Sequence, residues 1–296
     1  MVSFKRAAKT CGVWIAGWKG DYRVWVVLLF ELSVLARELV PTCRFALANG
    51  EGVPVFSLPL LMGDFQAATG LPKISIFLGA AALFSDIPFF SEKKLYQLIR
   101  ADKKEWFLAH IFYIFAVSFF YLLFITVMSF LLWMPAVRLQ DGWGSLITHT
   151  VDGKYQALYS LSGLQLPKRI FFRVPYWDAF LYTAAMTWTV CVIIGLVTFV
   201  LNLYMGFSGV GTVAGLFLVF IDPVLIYFLN AYNGWMFYAS PVNWASIACI
   251  KEYKVYLYSV LTHRGIAAAA LCWSVCLTVP AVIKWKRKEF LLKGDL

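Results

Sequence analysis

Four ionisable side chains, Glu31, Arg37, Glu38 and Asp222, stand inside long apolar runs. If those runs cross a bilayer, each charge costs roughly 2.5–3.5 kcal/mol at its centre on insertion scales, which makes such residues functional candidates by default. Glu31 and Glu38 are seven apart and fall on one helical face. Arg37 and Asp222 each lie toward the same end of their runs and are placed to pair. The competing reading makes Arg37 and Glu38 interfacial and gives Asp222 to a kink at Pro223. Asp86, in the turn Ser85-Asp86-Ile87-Pro88, completes this set of pathway or gate candidates.

A second possibility is nucleophilic. Gly206-Phe207-Ser208-Gly209 presents a serine between glycines, and a serine nucleophile needs an imidazole within hydrogen-bond reach. Only His110, His149 and His263 are available. His263 precedes the last apolar run, at the opposite end from Ser208. His110 is at the same end, but nothing in the sequence sets it beside Ser208. The plain alternative is a tight turn rich in glycine (Gly206, Gly209, Gly211) between two helices.

Other chemistries lack their signatures. The six cysteines (Cys11, Cys43, Cys191, Cys249, Cys272, Cys276) show no C-x-x-C and no Cys/His spacing for a metal, so they read as small apolar side chains, with Cys272 and Cys276 on one helical face. There is no G-x-x-x-x-G-K-[ST], no G-x-G-x-x-G between strand and helix, and no H-E-x-x-H. No metal or cofactor is therefore expected on this chain, and ATP hydrolysis by it is not expected.

These residues sit in an unusually apolar chain. Of its 296 residues 61% are hydrophobic and 14% charged, against about 45–50% and about 25% for soluble domains. With a mean hydropathy of +0.74, too little polar surface remains to cover a sphere in water. Six runs approach or exceed the roughly 20 apolar residues that span a bilayer: about 24–41, 74–90, 106–134, 178–204, 209–229 and 265–284. The expected fold is thus all-α and polytopic, one membrane domain over 1–296, with six transmembrane helices. Val53–Met62 is too short to span and carries Pro54 and Pro59, so it reads as an interfacial or re-entrant piece of a loop. Residues 3–20 place Phe4, Ala7, Ala8, Cys11, Trp14 and Trp18 at helical spacing between lysines, as in a helix lying in the headgroup plane, an elbow into the first span.

The net charge of +10 suits anionic lipid better than nucleic acid, because the basic residues lie between apolar runs. Five Lys or Arg occupy the amino end, five the connection after the second run and five the tail. The other eleven are spread over loops about twice as long, so both termini are expected in the cytoplasm. Trp25, Trp106, Trp133, Tyr176, Trp177, Tyr204, Trp235 and Trp285 fall near run ends and read as an interfacial aromatic belt.

The most informative segment is 91–104. Ser91 can cap a short helix with a stripe of Leu95, Leu98 and Ile99 and a polar face of Glu92, Lys93, Lys94, Arg100, Asp102, Lys103 and Lys104. The residues alone allow a docking helix or a basic helix lying on anionic lipid. Leu83-Phe84-Ser85-Asp86-Ile87-Pro88-Phe89, Leu98-Ile99-Arg100 and Lys103-Lys104-Glu105-Trp106 resemble the coupling segment of type-2 ATP-binding-cassette exporter permeases, chiefly those of Gram-positive bacteria. Ser240-Pro241-Val242-Asn243-Trp244 is similar to the S-P-x-x-W stretch of that family. The layout also matches: an elbow, six spans, cytoplasmic termini and short external helices before the sixth span.

The resemblance implies that 91–104 docks on a separate ATPase subunit, which alone binds ATP and Mg, with Ser91, Glu92, Leu95, Leu98, Ile99, Arg100, Asp102 and Lys103 at the contact. It further implies a second permease copy, identical or homologous, in a bacterial cytoplasmic membrane. The expected cargo is hydrophobic or amphipathic, a peptide first and a lipid or glycolipid second. The external loops 43–73 and 135–177 are longer than the family layout leads one to expect. Two alternatives stand: an intramembrane serine protease, since Gly206–Gly209 also looks like the G-x-S-G of rhomboid proteases, and a scaffold or sensor subunit that moves nothing.

Overall fold

In a computed structural model, the structure describes residues 4–62, 71–88, 103–138, 142–155, 168–205, 209–227, 234–253 and 261–286. These are mostly helical and contain no strands, only two isolated bridges, Val53 to Val137 and Ile250 to Leu261. The helices are α1 (Phe4–Ala16), α2 (Tyr22–Ala48), α3 (Leu58–Leu61), α4 (Leu71–Leu83), α5 (Lys103–Trp133), α6 (Ser145–Val151), α7 (Lys168–Arg173), α8 (Tyr176–Met205), α9 (Val210–Tyr227), α10 (Gly234–Ala239) and α11 (His263–Lys286). Short 3-10 turns at Pro241–Ala245, Ile247–Cys249 and Lys251–Tyr253 precede α11.

Each of the six apolar runs contains one main helix. Two of them, at Lys104–Ala136 and Tyr176–Met205, are long and apolar enough to cross a membrane. The second run departs from expectation: its helix α4 has only 13 residues, about 20 Å at 1.5 Å per residue. It ends at Leu83 because the chain turns at Phe84–Asp86, ahead of Pro88, which disfavours helix in the residue before it.

Helix α8 is the axis. It packs against α4, α5, α9, α11 and the turn 241–245, and Val190–Val200 is buried without interruption. That all-round burial explains why this stretch is apolar at every position instead of along one stripe. Helix α2 packs against α4 and α5, and α1 lies across the start of α5. Asp21 caps α2 by accepting from the Arg23 backbone N–H at 3.1 Å. Pro41 sits inside α2, where its missing N–H releases the Arg37 carbonyl from the helical ladder.

The outer surface is apolar. Phe115, Phe119, Phe120, Leu123, Val127 and Leu131 point outward from α5, Val213, Phe217 and Phe220 from α9, and Leu271, Val275 and Val279 from α11. The expected aromatic belt is only partly outside. Trp25, Trp177 and Tyr204 are exposed, but Trp106, Trp133 and Tyr176 are buried. Polar edges account for two of the three: Trp133 Nε1 donates to the Leu39 carbonyl at 3.1 Å, and the Tyr176 hydroxyl donates to the Phe56 carbonyl at 3.0 Å. Trp106 packs on His110, with ring centroids 4.1 Å apart.

Candidate functional site

The turn after α4 is held by three helices. Arg23, in the first turn of α2, forms an ion pair with Asp86 while its guanidinium also reaches Asp21 at 3.3 Å. Thr212 of α9 donates its hydroxyl to the Ser85 carbonyl at 3.1 Å. Asn202 of α8 donates from Nδ2 to the Ile87 carbonyl at 2.6 Å, and its Oδ1 accepts from the backbone N–H groups of Gly209 and Gly211 at 3.2 and 2.7 Å. Asn202 is fully buried, and its amide is spent on groups that would otherwise be unsatisfied.

This site is sharp because α8 and α9 approach closely. A Cβ on Gly211 would strike the Thr198 backbone, coming 2.8 Å from its Cα, so only glycine permits the crossing. The Thr198 hydroxyl, in turn, bonds the Ile194 carbonyl at 2.9 Å and the Gly211 carbonyl at 3.3 Å. Residues 84–88 are therefore coupled mechanically to the crossing of α8 and α9 and to the start of α2.

The neighbouring start of α5 is pinned by α1 and the turn Gly17–Gly20 that follows it. The His110 ring lies among Trp14 (4.4 Å), Trp106 (4.1 Å) and Phe199 (5.4 Å), with Nδ1 3.0 Å from the Trp106 carbonyl. Trp18 Nε1 donates to the Tyr113 hydroxyl at 2.9 Å, and Arg6 faces Glu105 at 4.0 Å. His263 stacks edgewise on Tyr182, twenty residues and roughly 30 Å along α8 from Asn202 and so far from Gly209.

The sequence candidates distribute as follows. Ser91, Glu92, Leu95, Leu98, Ile99, Arg100 and Asp102, as well as Ser208, lie outside the described residues, as do the side chains of Lys103 and Asp222. Asp86 is in the clasp. Glu31 and Glu38 are both buried, in keeping with their shared face. Arg37 Nε lies 3.7 Å from its neighbour Glu38. Cys11, Cys43, Cys191 and Cys249 are buried, while Cys272 and Cys276 are exposed with their sulfurs 4.0 Å apart. Among the described residues no group of His, Cys, Asp and Glu could hold a metal.

Sequence reasoning missed Arg23, Asn202 and Thr212. A lone amide in the apolar stretch Leu201-Asn202-Leu203 was the available signal, because amides inside such helices serve as interhelical bonds. It also missed a second polar cluster at the other end of α2, about 40 Å away over 27 residues. There the Glu51 carboxylate accepts from Tyr155 (2.9 Å), His149 Nδ1 (2.9 Å) and Lys154 (3.4 Å). The Ser145 hydroxyl accepts from the Gly52 N–H at 2.8 Å. Hydrogen bonding from Ser145 above all, then from His149 and Tyr155, outweighs burial and lowers the Glu51 carboxyl to about 2. Gly144, at a φ of 81°, lets its backbone pass 2.8 Å from the Gly52 carbonyl as measured from where a Cβ would stand. Within the two long loops, the described residues around Glu51 and Gly52 and those of 144–155 thus fold together as a cap on this end of α2.

Comparisons with family models, with curated proteins and with solved structures return no match to this chain.

Proposed function

We propose that this chain is the membrane-spanning permease subunit of an ATP-driven exporter, with six spans, both termini cytoplasmic and a separate ATPase docking on 91–104. The observation that carries the reading is the clasp on residues 84–88, the root of that segment. Arg23, Asn202 and Thr212 tie it to three helices, so a push on the segment would reach α2, α8 and α9 together. A surface helix that merely rests on lipid has no need of such ties.

Membrane embedding is supported by the outward-facing Phe, Leu and Val side chains of α5, α9 and α11, since contiguous exposed apolar surface marks a membrane or partner interface. The short α4 would span only where the bilayer thins around it. The cap built on Glu51 would then lie on the external side. ATP binding to the partner would favour one arrangement of the helices through its differential affinity for the two. A pathway lined by two copies of the chain would suit an amphipathic cargo, a peptide first and a lipid or glycolipid second.

The protease reading gains no support from His110, whose ring is enclosed and whose Nδ1 faces the Trp106 carbonyl, or from His263 at the far end of α8. The test is gentle affinity purification from native membranes with quantification of what remains bound. A stoichiometric subunit carrying a Walker-type ATPase, released when Leu98 and Arg100 are replaced by Ala, supports the proposal. A chain that emerges alone and unaffected by those replacements contradicts it.

A further inference from the structure

The donors and acceptors around Glu31 do not balance for a carboxylate. Glu31 is wholly buried where α2 meets α4 and α5. Its Oε2 faces the Ser75 hydroxyl at 3.4 Å, but Ser75 has one hydrogen and a closer acceptor, the Pro72 carbonyl at 2.9 Å. Its Oε1 has no donor. The Tyr121 hydroxyl stands beside it over Gly79, where a Cβ would come 2.8 Å from Oε1 and closer still to the phenol oxygen. That hydroxyl already donates to the Ile76 carbonyl at 3.0 Å. The titratable groups facing the carboxyl are Tyr121 from α5 and Cys191 from α8, and among the described residues no Lys or Arg forms an ion pair with it.

We infer that Glu31 is a proton-binding site: its Oε1 carries a hydrogen and donates it to the Tyr121 oxygen, which passes its own hydrogen to the Ile76 carbonyl. In that state Oε1, the Tyr121 oxygen and the Ile76 carbonyl each have a partner. Removing the proton leaves an anion in an apolar interior, which Tyr121 could serve only by turning its hydrogen away from the Ile76 carbonyl, and among the described residues no Lys or Arg pairs with it. The ligand is a proton, and the site requires only the packing of α2, α4, α5 and α8, so it stands or falls separately from the transport reading.

Infrared difference spectroscopy on the full chain in lipid nanodiscs at neutral pH tests this. The expected result is a carbonyl stretch of a protonated carboxylic acid in the wild type that is absent from Glu31→Gln. The Tyr121→Phe variant, which removes the acceptor, is expected to move that band to higher frequency. If Glu31→Gln fails to fold, the Tyr121→Phe shift decides alone. A wild-type spectrum without the band, or a band unchanged by both substitutions, overturns the inference.

Discussion

Asn202 and Ile87 are 115 positions apart in the chain, and the Asn202 Nδ2 donates to the Ile87 carbonyl at 2.6 Å. The same side chain accepts from Gly209 and Gly211, so one amide joins the turn after α4 to the hairpin of α8 and α9. Replacing it with an apolar isostere strands a buried carbonyl and two N–H groups. Asn202→Leu is expected to destabilise the fold by about 1–3 kcal/mol, whereas Thr212→Val, which removes one bond to Ser85, costs about 0.5–1.5 kcal/mol. Unfolding curves of the two variants in one detergent measure the difference, and equal losses would remove Asn202 from the centre of the clasp.

The α8 and α9 crossing gives a contrast between two glycines. At Gly211 a Cβ meets the Thr198 backbone, which cannot yield, while at Gly215 it meets the Thr198 hydroxyl at 3.1 Å and otherwise makes ordinary contacts. Gly211→Ala is expected to cost about 1–3 kcal/mol or more through overpacking, and Gly215→Ala much less. Thermal stability of the purified variants reports the order, and a Gly211→Ala protein as stable as wild type would contradict the close approach.

Arg23 and Asp86 are only partly shielded, at 42% and 44% side-chain exposure, so their pairing is worth about 0.2–1 kcal/mol. A double-mutant cycle of Arg23→Gln and Asp86→Asn is expected to return a coupling of that size. The pair's importance lies in holding position, and a coupling of zero would leave α2 outside the clasp.

The cap at the other end titrates in acid. Glu51 has its carboxyl lowered to about 2, below the ordinary value of about 4.3, so the unfolded chain binds its proton more tightly than the folded one. The stabilisation is full above the unfolded value and is lost as pH falls from there toward 2. Glu51→Gln is expected to flatten the pH dependence of unfolding in that window and to lower stability at neutral pH. A wild-type curve that does not change between pH 5 and pH 2, to order of magnitude, would contradict the cluster.

Much of the helical layout was legible because long apolar runs have one stable form when their backbone groups must bond internally. Run and helix limits agree closely for α5, α8, α9 and α11. Helix α4 was carried too far because the apolar run was counted through the turn at Ser85–Pro88, although that turn was legible, and the helix ends at Leu83. The clasp was hidden for a different reason: Asp86 was visible as a charge, but Arg23 read as a member of a basic amino end and Asn202 as one polar residue in a long run. Only tertiary contact shows that both serve the same turn. The Glu51 cluster joins positions about a hundred residues apart, a separation that no spacing rule covers. Trp106, Trp133 and Tyr176 were assigned to the interface by position, yet each is buried.

The central claim, that 91–104 docks on an ATPase subunit, is tested most directly by a photoreactive amino acid at Leu98 in the intact chain, illuminated in native membranes. The account predicts one dominant adduct, to a subunit carrying a Walker-type ATPase, and no such adduct from the same probe at Lys154 in the cap. Adducts to lipid alone at Leu98, or the same ATPase captured from both positions, would contradict it.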